Sequence, residues 1–233
     1  MATFNGGKYV REQIESILPQ LDISDELIIS DDGSSDGTLP EIKKIGDGRI
    51  KLYNNGGKHG FVGNFENALL HSKGDVIFLC DQDDVWAENK VQVSLSYLEL
   101  YDLIVHDAEI IDGDGRKKGF SYYSIMHKGT GFFMNFWKTR FLGCCMAFRR
   151  CVMEYFLPIP EKVIAHDYWI GMLSLTKFNV KFVPDVLILY RRHGENFSPS
   201  GGKSTHSLFF KLFTKRAVLI FEIVKRKMFL INR

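Results

Sequence analysis

Short apolar runs alternate with helical patterns over most of this chain, and this alternation restricts its fold more than any other feature. The runs LIIS, VIFLC and LIV consist mainly of consecutive apolar residues, without the in–out alternation of a half-buried strand. Strands of this kind are buried on both faces, as in parallel sheets that helices cover. Segments such as YVREQIESILPQL lie between them and repeat apolar residues at helical spacing. The pattern predicts an α/β fold with a mostly parallel sheet flanked by helices.

The two ends of the chain differ from this pattern. The turn signal NGG follows only four residues, so we expect at most the last residues of a first strand before it. Another boundary divides the chain into a domain over residues 1–200 and a tail over residues 201–233. From Ser207 onward the tail interleaves apolar and basic residues with one acid, Glu222. This predicts an amphipathic helical tail on an anionic membrane surface; the alternative is a helix packed on the domain with its lysines extended to solvent.

Composition narrows the class of protein. The chain has 233 residues, of which 45% are hydrophobic and 25% charged, as in soluble globular domains. Its net charge of +2 gives no reason to expect a nucleic-acid partner. The four cysteines have no CxxC spacing, so we expect reduced cysteines in a cytoplasmic protein. There is no apolar run of about eighteen residues and no signal-peptide pattern, so neither a spanning helix nor secretion is expected.

Acidic residues follow two of the apolar runs: Asp31 and Asp32 follow one, and Asp81, Asp83 and Asp84 follow another. Ligands of open parallel sheets bind at the carboxyl ends of the strands. Carboxylates so close together repel one another unless a cation neutralises them, and Mg²⁺ or Mn²⁺ prefers oxygen ligands and shares them with phosphates. Asp81, Asp83 and Asp84 therefore predict a site for a metal ion and a diphosphate, whereas Asp31 and Asp32 could equally hold a ribose hydroxyl or a base edge. The alternatives are a helix cap for the second group and a hydrogen-bonded turn for the first.

A family resemblance rests on seven motifs that occur in order. They are MATFNGGKYVREQIESIL, ELIISDDGSSDGT, NFENAL, GDVIFLCDQDDVW, GCCMAFRR, HDYW and YRRHGENFS. Together they resemble family 2 glycosyltransferases with the Rossmann-like GT-A fold, from Met1 to about Ser200. The forms DQDDVW and YRRH resemble bacterial cell-surface polysaccharide enzymes, particularly rhamnosyltransferases that use dTDP-rhamnose.

The resemblance implies roles on the donor side of a site. The nucleotide would be bound by Thr3, Asn5, Asp32, Asn64 and Asp81. The metal ion, Mn²⁺ or Mg²⁺, would be bound by Asp83 and His193, and the diphosphate by Arg191 and Arg192. Without the resemblance, His193 is equally well explained as a surface histidine.

On the acceptor side, the resemblance implies that Asp167 is the catalytic base. The sugar or acceptor pocket would be formed by Asp84, Trp86, Tyr168 and Trp169. A base is needed because an acceptor hydroxyl must lose its proton as it attacks the sugar. The sequence has HD where the family more often has ED, so His166 replaces one acid. Without the resemblance, Asp167 is better explained as a helix cap.

The sequence therefore predicts an inverting glycosyltransferase. It would move a sugar from a nucleoside diphosphate, with dTDP-rhamnose as the first candidate, to a saccharide or lipid-linked saccharide acceptor in cell-surface polysaccharide synthesis. We expect it in the cytoplasm, in peripheral contact with the inner face of the plasma membrane. One alternative is a non-catalytic scaffold that binds sugar nucleotides. Another is a metal-dependent phosphatase, because DQDDV also fits the pattern DxDx[TV].

Overall fold

Strands and helices alternate along the chain as the apolar pattern predicts. A computed structural model describes residues 1–126, 129–193 and 208–231. The strands are β1 (Ala2–Thr3), β2 (Leu27–Asp31), β3 (Ile50–Asn54), β4 (Val76–Phe78), β5 (Val85–Trp86), β6 (Leu103–Asp112), β7 (Lys117–Ser121), β8 (Met146–Arg149) and β9 (Val180–Arg192). The helices are α1 (Val10–Ile17), α2 (Thr38–Ile45), α3 (Phe61–His71), α4 (Lys90–Leu98), α5 (Phe132–Trp137), α6 (Arg150–Phe156), α7 (His166–Ser174) and α8 (Leu208–Ile231).

The strands form two sheets. The first has the order β1-β2-β3 and is parallel, with Ala2 and Thr3 of β1 paired to Ser30 and Asp31 of β2. The second has the order β4-β8-β6-β9-β5, with β7 beside β6. Within the described residues, β6 and β9 pair in parallel, and all other neighbouring strands of this second sheet pair antiparallel. The α/β fold is confirmed, and the second sheet is mixed. An apolar run indicates burial, but it does not indicate strand direction.

The polar, glycine-rich segment after β6 forms regular structure. It contains β7, which forms a hairpin with β6, and a 3₁₀ turn over Tyr123–Ile125. Gly115 and Gly119 have positive φ angles of 82° and 77°, which glycine adopts without strain. The hairpin therefore depends on two glycines of this segment.

The tail forms α8, and one face of this helix packs on the domain. Leu219 and Ile223 are buried, and Arg226 donates a hydrogen bond to the carbonyl oxygen of Phe156 at 3.1 Å. The expected amphipathic helix is present, and its packed face corresponds to the alternative derived from the sequence. Within the described residues, no helix has both the length and the apolar composition that a bilayer crossing needs.

A cavity lies between the two sheets at the amino ends of β2 and β4. Its volume is about 630 Å³, and its lining includes Leu27, Phe65, Ala68, Ile77 and Trp86. Most of these side chains are apolar, so the cavity differs in character from the polar edge at the carboxyl ends of the same strands.

Candidate active site

The loop after β4 is held against the end of β1 by a glutamine. Gln82 accepts a hydrogen bond from the Phe4 N–H at 2.7 Å and donates one to the Phe4 carbonyl oxygen at 2.9 Å. Gly6 allows this approach, because a Cβ atom there would lie 2.2 Å from the Gln82 side chain. Asn64 Nδ2 also donates to the Thr3 carbonyl oxygen at 3.0 Å. These contacts bring the acids of both sheets to one edge, and nothing in the sequence had distinguished Gln82.

Asp32 is held as a charged carboxylate at this edge. It accepts hydrogen bonds from Asn55 Nδ2 and the Gly60 N–H, both at 2.7 Å, and His59 Nδ1 lies 2.9 Å away. Burial opposes ionisation, but the hydrogen bonds from Gly60, His59 and Asn55 outweigh it and lower the pKa of Asp32. Sequence reasoning missed His59, which lies in a glycine-rich loop with no distinctive motif.

Asp31 differs from its neighbour because it serves the fold. It is 1% exposed and accepts hydrogen bonds from Thr3 Oγ1 at 2.9 Å and from the Ser34 N–H at 2.8 Å. Asn5 is joined to the same turn, with its N–H donating to Ser34 Oγ and its Oδ1 accepting from the Ser35 N–H, both at 2.9 Å. Thr3 and Asn5 thus shape this loop, while Asn64 Oδ1 is buried without a hydrogen-bond partner among the described residues.

The structure brings together the two predicted metal ligands. His193 Nε2, at the end of β9, lies 2.8 Å from Oδ2 of Asp83. The two side chains are 15% and 12% exposed, so the pair is accessible at the edge of the site. The His193 ring also packs on Tyr9, with ring centroids 5.0 Å apart. Two groups that are distant in the sequence therefore converge on one point.

Two further acids lie beside this pair. Ligand atoms of Asp81, Asp84 and Cys144 lie within 4.8 Å of one another. Burial, together with the charges of Asp83 and Asp167, raises the pKa of Asp81 to about 7. Burial also raises the pKa of Asp84 well above its usual range. Asp84 is 0% exposed, which corrects its assignment to a sugar pocket.

A buried lysine, which the sequence did not single out, lies beneath these acids. Lys90 is 0% exposed, and its Nζ donates to the Cys144 carbonyl oxygen at 2.8 Å. The ammonium group also lies 4.4 Å from the centre of the Trp86 ring. Burial lowers the pKa of Lys90, but the nearby thiols and Asp84 favour its charged form. A positive charge below the site partly offsets the acids above it.

The ligand atoms available in this site fit a hard divalent cation. Asp84 Oδ2 is buried and has no hydrogen-bond partner among the described residues, and the pKa of Asp81 is raised by burial and then by the nearby charges of Asp83 and Asp167. Burial raises the pKa of the Cys144 thiol well above its usual value, so this group remains protonated and is a poor ligand. Carboxylate oxygens with one imidazole suit Mn²⁺ or Mg²⁺, so Asp83 and His193, with Asp81 beside them, are the residues that would hold the ion.

Asp167 lies in the first turn of α7 and faces the same group of acids. Its Oδ1 accepts a hydrogen bond from the Tyr168 N–H at 2.7 Å. Burial raises the pKa of Asp167 to about 6. The preceding His166 is buried and stacks on Phe65, with ring centroids 4.0 Å apart, and burial lowers the pKa of His166 to about 3. His166 is therefore neutral near pH 7 and much less basic than Asp167.

Two of the three aromatic residues predicted for the sugar or acceptor pocket have other positions, while the placement of Tyr168 there stays a prediction. Trp169 is 0% exposed in the core, where its Nε1 donates to the Phe156 carbonyl oxygen at 3.1 Å. Trp86 is 6% exposed and lines the amino-end cavity. The Tyr168 hydroxyl donates to the Phe136 carbonyl oxygen at 3.0 Å, so its ring supports α5. The two tryptophans are core residues, because burying their large rings stabilises the fold.

Arg191 also departs from its predicted role. Its side chain is 3% exposed and pairs with Glu12 Oε2 at 2.6 Å, while its Nε donates to the Asp83 carbonyl oxygen at 2.7 Å. Its N–H donates to Asp84 Oδ1 at 2.9 Å. The buried guanidinium is committed to these partners, so it positions the acidic loop instead of binding phosphate. Arg192 is more exposed and remains the arginine predicted for phosphate.

The family comparison covers the chain from β1 to the end of α6. The model of the family described as glycosyl transferase family 2 matches residues 1–156. The chain belongs to glycosyl transferase family 2. Membership of this family decides against the phosphatase interpretation of DQDDV.

Two relatives are examples of the proteins to which this family 2 chain is similar. The chain is 34% identical over 98 residues to the Escherichia coli UDP-Glc:alpha-D-GlcNAc-diphosphoundecaprenol beta-1,3-glucosyltransferase WfgD, a match covering 42% of this chain and 39% of WfgD. It is 26% identical over 216 residues to dTDP-rhamnosyl transferase RfbG of Shigella flexneri, covering 84% of this chain and 72% of RfbG. The chain thus matches well under half the length of WfgD.

Solved structures confirm the GT-A fold. The family 2 chain is similar to S. aureus TarS 1-349 in complex with UDP-GlcNAc, with a TM-score of 0.66 and 18% identity over 94% of this chain and 65% of that chain. It is also similar to glucosyl-3-phosphoglycerate synthase from Mycobacterium tuberculosis in complex with Mn²⁺ and UDP-Glc, with a TM-score of 0.58 and 16% identity over 97% of this chain and 76% of that chain.

Proposed function

We propose that this family 2 glycosyltransferase is an inverting enzyme that moves a sugar from a nucleoside diphosphate to a saccharide acceptor. The observation that carries the proposal is the approach of an acid on α7 to the acids after β4. The charge of Asp167 is one of the causes that raise the pKa of Asp81 to about 7. The candidate base and the candidate donor site therefore lie close enough to interact electrostatically.

Each group has a chemical role in such a transfer. Asp167 takes the proton of the acceptor hydroxyl as its oxygen forms a bond to C1 of the sugar and the bond from C1 to the diphosphate breaks. With its pKa at about 6, this carboxylate is mostly ionised at neutral pH and is still an effective base. Asp32 and Asn64 hold the nucleoside, with Thr3 and Asn5 shaping that pocket. A divalent ion on Asp83 and His193 would neutralise the charge of the leaving diphosphate.

The substrates are proposed from the names of relatives. RfbG is a dTDP-rhamnosyl transferase, which supports dTDP-rhamnose as the first donor to test. WfgD acts on a diphosphoundecaprenol-linked saccharide, which supports a lipid-linked acceptor. Such an acceptor lies at a membrane, so we place the enzyme in the cytoplasm, at the inner face of the plasma membrane, in cell-surface polysaccharide synthesis.

Replacement of the base separates an enzyme from a scaffold that only binds sugar nucleotides. We expect Asp167→Asn to lower kcat by about 10²–10⁴-fold, since a positioned general base contributes that much. Donor affinity, measured by calorimetry, should change little. The matched control is Asp75→Asn, the same change at the exposed amino end of β4. Transfer at the wild-type rate by the Asp167 variant would show that Asp167 is not the base.

A metal titration tests the donor side. Nucleoside diphosphate should bind the wild-type chain at least about tenfold more tightly with Mn²⁺ than with a chelator, because the ion joins the acids to the phosphates. Asp83→Asn should remove most of that difference, and Asp75→Asn should retain it. Equal affinity with and without Mn²⁺ in the wild-type chain would contradict the metal site.

A screen of nucleotide sugars tests which sugar and which nucleotide the enzyme binds. Thermal shifts with dTDP-, UDP- and GDP-sugars, each with Mn²⁺, should be largest for dTDP-rhamnose, because bound ligand stabilises the folded state. NMR of the product should show inversion at C1. A larger shift with a UDP-sugar would replace the proposed donor and leave the reaction type in place.

A further inference from the structure

We propose that helices α5 and α8 together form a surface that docks this enzyme on an anionic membrane. The docking surface consists of Phe133, Met134, Trp137, Phe221, Val224 and Met228. The purpose of such docking rests on the proposed function, because a lipid-linked acceptor requires approach to a bilayer. The surface itself is argued from exposure, charge and contacts, and it can be tested without any sugar donor.

Helix α5 exposes large apolar side chains at three of its six positions. Phe133 is 78% exposed, Met134 50% and Trp137 63%. Single exposed apolar residues are ordinary, but three within five residues form a patch of the kind that marks an interaction site. No sequence motif singled out this helix, which follows a glycine-rich segment.

Helix α8 has two apolar faces. Leu219 and Ile223 are buried against the domain. On the opposite face Phe221, Val224 and Met228 are 63%, 51% and 60% exposed, and their spacing of three and four residues places them along one stripe. One face would be enough to attach the helix to the domain. The outer stripe is therefore not needed for that attachment, and each of its three side chains is more than half exposed.

The charges around this stripe favour an anionic surface as the partner. Lys225 and Lys227 are exposed on either side of the stripe. The acid of this helix, Glu222, is 7% exposed and does not oppose them. Exposed lysines that flank apolar side chains are typical of helices lying at the interface of membranes with anionic lipids. A second copy of this chain would not explain why the acid is buried and the lysines are exposed.

Direct contacts join the two helices to each other and to the acceptor side of the site. Arg216 Nε donates to the Phe136 carbonyl oxygen at 2.6 Å, and its guanidinium lies 5.3 Å from the Trp137 ring. The same carbonyl oxygen accepts the Tyr168 hydroxyl at 3.0 Å. Tyr168 follows Asp167, so the docking surface is one hydrogen bond from the helix that carries the candidate base.

Vesicle partitioning of the full chain tests the proposal. The probes are phosphatidylcholine vesicles with and without phosphatidylglycerol. We expect the double variants Phe133→Ser with Trp137→Ser, and Phe221→Ser with Met228→Ser, each to lower partitioning onto anionic vesicles by at least about tenfold. Lys225→Gln with Lys227→Gln should weaken binding to the anionic vesicles only, and added salt should do the same.

The matched control is Ile23→Ser with Leu100→Ser, which removes two other exposed apolar side chains, 97% and 75% exposed, and should leave partitioning unchanged. Circular dichroism and thermal melting check that every variant is folded. The proposal is overturned if α5 and α8 variants partition like the wild type, or if neutral and anionic vesicles bind equally. It is also overturned if sedimentation shows a dimer that these variants dissociate while vesicle binding is retained. The partitioning experiment contains no sugar donor, so the absence of vesicle binding would not contradict the proposed transfer reaction. A chain that binds vesicles but transfers no sugar would contradict only the proposed transfer reaction.

Discussion

The cleft between the two sheets has a polar end and an apolar end. At the carboxyl ends of the strands, Gln82 and Asn64 form hydrogen bonds across the cleft to the backbone of Phe4 and Thr3. At the amino ends, a cavity of about 630 Å³ separates the same sheets. One carboxylate spans that end, with Glu26 Oε1 accepting from the Lys73 N–H at 2.5 Å. Hydrogen bonds from the side chains of Gln82 and Asn64 therefore hold the two sheets together at the polar end, whereas the amino end has a mostly apolar cavity that one carboxylate spans.

This difference shows that the polar end, which carries the candidate active site, is also the structural joint between the two sheets. In the described residues β1 pairs with β2, and β4 pairs with β8, so the two sheets are linked by side chains and packing instead of strand pairing between β1 and β4. The acids that the proposed chemistry needs are buried in that joint, and burying charge opposes folding. The apolar end carries no such conflict. Changes at the two ends should consequently affect activity and stability in different proportions.

The largest effect should be the loss of activity at low pH, which acts through the polar end. Burial raises the pKa of Asp167 to about 6, and the base must be ionised to accept a proton. With saturating Mn²⁺, kcat/KM should be constant above pH 7 and fall about tenfold for each unit well below pH 6. Circular dichroism at pH 5 serves as the control for folding. A rate that stays constant down to pH 4.5 would contradict the assignment of Asp167.

The next effect is on stability, and its sign is opposite to that of most carboxylates. The pKa of Asp81 is about 7 in the folded protein, above its ordinary value of 3.8. The folded state therefore binds this proton more tightly, so the stabilising contribution is complete below pH 3.8 and is lost as the pH rises through 7. Without metal at pH 8, we expect Asp81→Asn to raise the Tm by roughly 4–8 °C, equivalent to about 2 kcal/mol.

The control for this variant is the same comparison at pH 4.5, where the wild-type carboxyl is already protonated and the Tm values should be similar. Mn²⁺ at pH 8 should raise the Tm of the wild type and have much less effect on the variant, because the ion replaces the proton as the neutralising charge. A lower Tm for Asp81→Asn at both pH values would show that the carboxylate contributes a favourable interaction instead.

The sequence was sufficient to locate the polar end, for a physical reason. Strand ends of a parallel arrangement meet at one edge, so Asp32 and Asp83 could be placed there from local patterns. The burial of charged side chains and their contacts with residues distant in the sequence could not be predicted from local patterns. Arg191 is bound to Glu12 across 179 positions of sequence, and Lys90 belongs to a residue type that is rarely buried. These contacts depend on the packing of the whole domain.

The apolar end was not predicted, and the reason is also physical. An apolar side chain such as Ile77 or Trp86 indicates burial, but it does not show whether its neighbours fill the space around it. Cavities arise from the mutual distances of several elements, which local sequence does not specify. The family resemblance placed Trp86, two residues after Asp84, in the sugar or acceptor pocket, although Trp86 lines the cavity at the other end of the cleft.

A smaller effect is expected from breaking the joint itself. Gln82→Ala removes both hydrogen bonds to Phe4 and should lower stability by about 1–1.5 kcal/mol. It should also weaken donor binding several-fold, because the loops from the two sheets separate. The matched control is Gln20→Ala, which loses hydrogen bonds of 3.0 Å to Ala87 and 3.1 Å to Val91 away from the acids. Equal donor affinities in the two variants would show that the joint does not shape the site.

The smallest effect should come from filling the apolar end. Ala68 on α3 is 5% exposed and lines the cavity, so Ala68→Leu adds apolar volume where space exists. We expect a gain of about 1 kcal/mol, or roughly 2–4 °C in Tm, with kcat/KM unchanged. Leu70→Ala, at a position of the same helix that is 65% exposed, should change the Tm little. A lower Tm for Ala68→Leu would mean that the two sheets are packed too closely there for three more carbon atoms, and that the two ends differ less than their linings indicate.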